Sequence, residues 1–163
     1  MRGLELGRPF ARRALARGAG PLSSAALVLA YTARHREWLA ADAVRARLRH
    51  EIAATFEAYH VILAPIAPVP AFPHDARPFG RRRLATSDGG QIAYNSMLTW
   101  ISLATALHLP ATVVPAGTTS SGLPVGAQLI GPRGGDARTL AVAQAIDETV
   151  RGFQPPPRPV SAP

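Results

Sequence analysis

The prolines at 65, 68, 70, 73 and 78 limit what this chain can fold into more than any other feature. Each proline fixes φ and removes a backbone donor, so residues 65–80 can form neither helix nor interior strand and must run as an extended, irregular loop. That loop divides the chain into two halves of different character. Long ordered loops tend to line functional sites.

Before the loop the apolar residues recur at helical spacing. Leu27, Val28, Tyr31, His35, Trp38 and Leu39 follow three- and four-residue steps from a start near Ser23 or Ser24, which predicts an amphipathic helix. Asp42 is placed to cap a second helix, with Val44, Leu48, Ile52, Phe56 and Tyr59 on its apolar stripe and Arg45, Arg47 and Arg49 on its solvated side. Residues 1–22 are rich in Arg, Gly and Ala without sustained periodicity, and read as a poorly ordered basic lead-in.

From Val61 the pattern changes. Val61-Ile62-Leu63-Ala64, Ala111-Thr112-Val113-Val114 and Val125-Gly126-Ala127-Gln128-Leu129-Ile130 are short apolar runs bounded by turn residues, the signature of strands covered on both faces. Gly126 permits close backbone approach. Arg81-Arg82-Arg83 and the Asp88-Gly89-Gly90 turn lead to a third helix with Tyr94, Met97, Leu98, Ile101 and Thr105 on one face, and Asp136 is placed to cap a last helix ending near Val150. The expected fold class is α/β, a few strands of a mixed sheet flanked by helices. Three strands make a small sheet with open edges, so the segment reads as incomplete and poorly soluble alone. Residues 23–150 form the folded part, and 151–163 a Pro-rich tail with little to bury.

Composition narrows the chemistry. With 47% hydrophobic and 17% charged residues in 163, the chain has enough apolar surface for a core. It has no cysteine, hence no disulfide, thiolate metal site or cysteine nucleophile. All 18 basic residues are arginine, and the net charge of +8 is concentrated in residues 1–50. These arginines alternate with Ala and Leu on helical faces, and no aromatic-studded strand offers a stacking platform, so nucleic acid is not an expected partner. The longest apolar run, Leu22–Tyr31, is too short to cross a bilayer and reads as a buried helix rather than a signal sequence.

The histidines at 35, 50, 60, 74 and 108 are scattered, with no metal-ligand spacing, and His74-Asp75 is the close His–acid pair of the Pro-rich loop. Adjacent residues of an extended segment point to opposite sides, which disfavours a Ser-His-Asp triad. No serine lies in a G-x-S-x-G elbow. Gly131-Pro-Arg-Gly-Gly-Asp136 reads as a turn and cap rather than an anion site, because Pro132 removes an amide and Asp136 places negative charge where phosphate would sit. Arg77, Arg81, Arg82 and Arg83 are candidates for binding a substrate carboxylate, against the simpler reading of solvated loop charges.

Four stretches together resemble the C-terminal part of the amidase-signature family of amide hydrolases: Tyr59–Pro68, Ala71–Asp75, Trp100–Gly117 and Gly122–Pro132 with Asp136 after it. His60 departs from the resemblance, since the family usually carries Asp there. The resemblance implies a Ser–Ser–Lys triad, an acyl-serine intermediate, and no metal or organic cofactor. None of the triad matches a residue here: Ser23-Ser24 lack the family's glycine frame, and the chain has no lysine. Arginine stays protonated and cannot replace lysine as the base. The resemblance therefore implies scaffold and pocket-wall roles, with Arg83, Asp88, Tyr94 and Trp100 as substrate contacts in a cytoplasmic protein. It further implies partners: a small-molecule amide in the completed enzyme, and either the missing N-terminal half as a separate chain or a second copy in a homo-oligomer. The other reading is a non-catalytic interaction or binding module derived from the same fold.

Overall fold

The computed structural model describes residues 2–20, 23–150 and 153–155, the last three being the only part of the expected Pro-rich tail among them. Three helices come first: α1 (Arg2–Ala16), α2 (Ser24–Tyr31) and α3 (His35–Ala53), followed by the single turn α4 (Thr55–Ala58). Helix α1 occupies most of the stretch expected to be a poorly ordered lead-in, of which residues 1, 21 and 22 lie outside the described residues, and contacts distant in sequence hold it. It packs on α2, and its buried Arg8 bonds Thr32 and Glu37 across 24 and 29 residues.

Helix α2 starts where expected, with Ser23 as its cap, the hydroxyl accepting from Ala26 N at 3.3 Å. The chain breaks after Tyr31, and α3 begins at His35, so the expected single stripe is divided between two helices. Asp42 is not a cap. It lies inside α3 and accepts from Arg45 one turn away. Glu37 supplies the start signal instead, its carboxylate accepting from Arg34 N at 2.8 Å. The stripe also turns outward: Val44 and Leu48 are exposed, while Arg45, expected on the solvated side, is half-buried and reaches the His108 ring nitrogen at 3.2 Å.

Three strands form the main sheet in the order β1 (Ile62–Pro65), β5 (Pro124–Ile130), β4 (Ala111–Thr118), with antiparallel pairings. Leu129 and Ile130 of the central strand are almost fully buried, whereas Leu63 and Val113 on the flanking strands are 64% and 60% exposed. The flanking strands are therefore not covered on both faces as their apolar sequence predicts. Residues 66–78 form the expected loop, tied at its start by Gln128 Nε2 donating to Pro65 O at 2.8 Å. Gly126 is needed where it stands: a Cβ there would lie 2.8 Å from Ile66 Cδ1 and 3.2 Å from Val114 O.

A short hairpin of β2 (Arg83–Ala85) and β3 (Gln91–Ala93) occupies the stretch expected to lead directly into a helix. A 3-10 turn (Tyr94–Met97) then opens α5 (Leu98–Leu107), which His108 ends at φ 55°, a left-handed cap conformation. The buried residues of α5 are Ala104 and Leu107, while Leu98, Ile101 and Thr105 of the expected inner face are exposed. Helix α6 (Asp136–Thr149) has Gly135 as its N-cap, so Asp136 sits in the first turn rather than at the cap. Buried Thr139 locks α6 onto the sheet: its hydroxyl accepts from Thr112 Oγ1 and donates to Asp136 O, both at 2.8 Å.

Candidate functional site

The proline loop and the β2–β3 hairpin bring together an aromatic cluster centred on Tyr94. Its ring meets Phe79 edge-on at 5.3 Å between centroids and Phe72 at 6.0 Å, spacings at which the positive edge of one ring faces the negative face of another. The Arg82 guanidinium lies 5.5 Å from the Tyr94 centroid, a cation–π contact. Arg82 Nε also donates to Arg77 O at 2.9 Å, and Tyr94 N donates to Arg82 O at 3.3 Å, so loop and hairpin are joined at this point.

The expected site residues fall at different places around that cluster. Arg83 opens β2 opposite Ala93, next to Tyr94, and its Nη1 donates to Arg82 O at 3.0 Å and Gly80 O at 3.4 Å. Asp88 lies at the far end of the hairpin, roughly 10 Å along the strand from Arg83 at the usual rise per residue. There it organises the turn. One carboxylate oxygen accepts from Gly90 N at 3.1 Å and from the Thr86 hydroxyl, and these bonds, Thr86 first, hold its pKa below the ordinary carboxylate value. Gly89 between them has φ +81°, the conformation that favours glycine.

Tyr94 is half-buried at the head of the 3-10 turn. Trp100 projects from α5 at 40% exposure, one and two turns before the buried Ala104 and Leu107 on the same stripe. Arg83 and Tyr94 are thus adjacent, Asp88 is committed to the turn, and Trp100 stands on the following helix.

Among the loop charges, Arg77 is already engaged. Its Nε and Nη2 grip the two Asp75 oxygens at 2.9 and 2.8 Å, and its backbone N adds a bond at 2.9 Å. These contacts hold Asp75 well below its usual pKa, at about 2, and raise that of Arg77. Asp75 therefore serves Arg77 rather than the neighbouring His74. Sequence reasoning does not single out Phe72, Phe79 or the stacking role of Arg82. The alternation of aromatic and basic residues around the prolines is the only signal, and it does not reveal which ring meets which.

The comparisons with known proteins agree with this architecture. The family profile named Amidase matches residues 16–140. A glutamyl-tRNA(Gln) amidotransferase subunit of Geotalea daltonii is 35% identical over 112 residues, 68% of this chain and 21% of that protein. Fatty acid amide hydrolase of Medicago truncatula is 30% identical over 128 residues, 77% of this chain and 20% of that protein. The chain thus spans about a fifth of the length of these curated relatives.

Two solved structures share the fold. A crystal structure of amidase superposes with a TM-score of 0.59 at 24% identity, covering 84% of this chain and 30% of that one. The corresponding glutamyl-tRNA(Gln) amidotransferase subunit from Thermotoga maritima gives a TM-score of 0.56 at 28% identity, covering 85% and 26%. Among the described residues no helix is long and apolar enough to cross a membrane. With the family profile spanning well over half its residues, the chain belongs to the Amidase family.

Proposed function

We propose that these 163 residues form the scaffold and one wall of the substrate pocket of a cytoplasmic enzyme that hydrolyses carbon–nitrogen amide bonds, with the Ser–Ser–Lys machinery supplied from outside them. The observation that carries this reading is that a chain belonging to the Amidase family contains no lysine. An acyl-transfer serine needs a base to take its proton, and arginine cannot serve. In the completed enzyme the serine attacks the amide carbon, the amine leaves with a proton, and water releases the acyl group as a carboxylic acid. No metal or organic cofactor is needed for this sequence of steps.

The pocket-wall residues proposed here are Arg83, Tyr94 and Trp100, with Asp88 holding the hairpin that presents the first two. Support comes from Tyr94 joining loop, hairpin and helix, and from Trp100 being partly exposed on the next turns. The test is amide turnover, read with a chromogenic anilide. Purified chain alone is expected to give none. Addition of the part of the Geotalea daltonii relative outside the 112-residue match is expected to give turnover, with Tyr94→Ala and Trp100→Ala raising KM more than they lower kcat. Turnover by the chain alone would overturn this reading.

A second reading, a non-catalytic interaction module, is favoured by one observation. Arg83 donates to neighbouring backbone carbonyls and Asp88 accepts from its own turn, so both side chains are spent on local structure rather than held for a ligand. It predicts a stable complex without turnover.

A further inference from the structure

The four arginines around the proline loop are not equivalent. Arg77 is closed on Asp75, with Nε and Nη2 on the two carboxylate oxygens at 2.9 and 2.8 Å. Arg83 turns back on its own chain, its Nη1 donating to the carbonyls of Gly80 and Arg82. Arg81 is exposed, and its guanidinium enters no ion pair among the described residues. Arg82 differs from all three: it is half-buried and held on one edge only. Its Nε donates to Arg77 O at 2.9 Å and its guanidinium carbon lies 5.5 Å from the Tyr94 centroid, while Nη1 and Nη2 meet no acceptor among the described residues.

A guanidinium tied at Nε and stacked on a ring presents its Nη edge at a fixed place. That edge carries two donors spaced for the two oxygens of a carboxylate. The neighbouring acid does not fill it. Asp75 is near enough for the charge of Arg82 to help lower its pKa, after the larger effects of its bonds to Arg77, but Arg77 already grips both of its oxygens. Between residues 65 and 83 the four arginines therefore stand against a single acid that is already paired, and the local field favours an anion. Phe72 and Phe79, both exposed, meet the same Tyr94 ring edge-on. They offer apolar surface to the body of the molecule that carries the anion.

We propose that Arg82 takes the free carboxylate of an organic acid end-on through Nη1 and Nη2, with the apolar stem of that acid laid against Phe72 and Phe79. The identity of the ligand rests on the proposed amidase function: the substrates are amides that carry a carboxylate beside an aromatic or other apolar group, as an N-aroyl amino acid does. Arg82 is then a specificity-determining residue for the reaction. The anion site itself stands on the oriented, unfilled guanidinium edge and the three rings.

The probe is hippurate, an aromatic amide with a free carboxylate, set against its neutral counterpart hippuramide, each titrated into the purified chain and followed by NMR. Hippurate is expected to bind at least about tenfold more tightly than hippuramide and to shift the ring resonances of Phe72, Phe79 and Tyr94. Arg82→Met should abolish that preference. Arg82→Lys keeps the charge but has no fork, and should lose most of the preference with circular dichroism unchanged. Arg133→Met, in the turn before α6, should keep it. Binding of neither compound, equal binding of both, a preference that survives both Arg82 variants, or one lost as fully in Arg133→Met would each overturn the inference. Because binding is read without turnover, a preference for hippurate in a chain that never gains amide turnover would sink the proposed function and leave the anion site standing. Anilide turnover by the completed enzyme with no such preference would sink the inference alone.

Discussion

Arg8 of α1 donates to both carboxylate oxygens of Glu37 in the first turn of α3, at 3.0 and 2.8 Å. Glu37 also accepts from Arg34 N and from Arg12, and these bonds lower its pKa from 4.5 to about 2, the Arg34 bond contributing most. A carboxyl whose pKa is depressed on folding adds stability above its unfolded value and loses it as pH falls towards the folded one. Thermal melts of the parent and of Glu37→Gln should therefore differ most near neutrality and converge between pH 4.5 and about 2. A gap that stays constant over that window would assign the effect to packing alone.

Core and edge leucines on one row should respond very differently. Leu129→Ala empties a fully buried site in the central strand and is expected to cost about 2–5 kcal/mol. Leu63→Ala, in the same row, should stay within about 0.5 kcal/mol. Denaturant titrations of both variants compare them directly, and similar losses would mean that β1 is covered in solution.

The seat of α6 can be examined as a pair. A Cβ at Gly131 would come within 2.5 Å of Thr139 Cγ2, so Gly131→Ala should destabilise by about 1–3 kcal/mol through overpacking. Thr139→Ser removes that methyl and keeps the hydroxyl bonds to Thr112 and Asp136. The double variant should recover part of the loss, and the coupling between the two sites is the quantity to measure. Strict additivity would place the clash elsewhere.

His108 ends α5 at φ 55°, where a side chain is strained and glycine is not. Although His108→Gly gives up the exposed contact with Arg45, it should raise stability by about 0.5–1 kcal/mol. A lower melting temperature in the variant would show that the Arg45 contact outweighs the backbone strain.

The second half of the chain is largely legible in sequence because its signals are local. Apolar runs ending in Pro65, Pro115 and Gly131 mark β1, β4 and β5, and the proline spacing marks the loop. Helix α1 is not legible, since what orders it is an Arg8 whose partners lie 24 and 29 residues away. The β2–β3 hairpin escapes a sequence reading even though its Asp88-Gly89-Gly90 turn is plain: strands of three residues are too short to show alternation. Helical spacing reveals the stripe of α3 but not its facing. Arg45 reaches across to His108, a residue whose position depends on how α5 ends. At the candidate site Tyr94 and Arg83 are neighbours, whereas an Asp two residues before a glycine organises its own turn, which is where Asp88 is spent.

The bond from Gln128 to Pro65 O has a consequence for how relatives of this chain can diversify. It pins the last residue of β1, from which the proline loop departs, to the central strand, just as the Arg82 and Tyr94 contacts pin the far end to the hairpin. Insertions and deletions between those two posts change which side chains the loop presents without shifting the sheet. The span can thus change in length and sequence while the foundations at either end stay put.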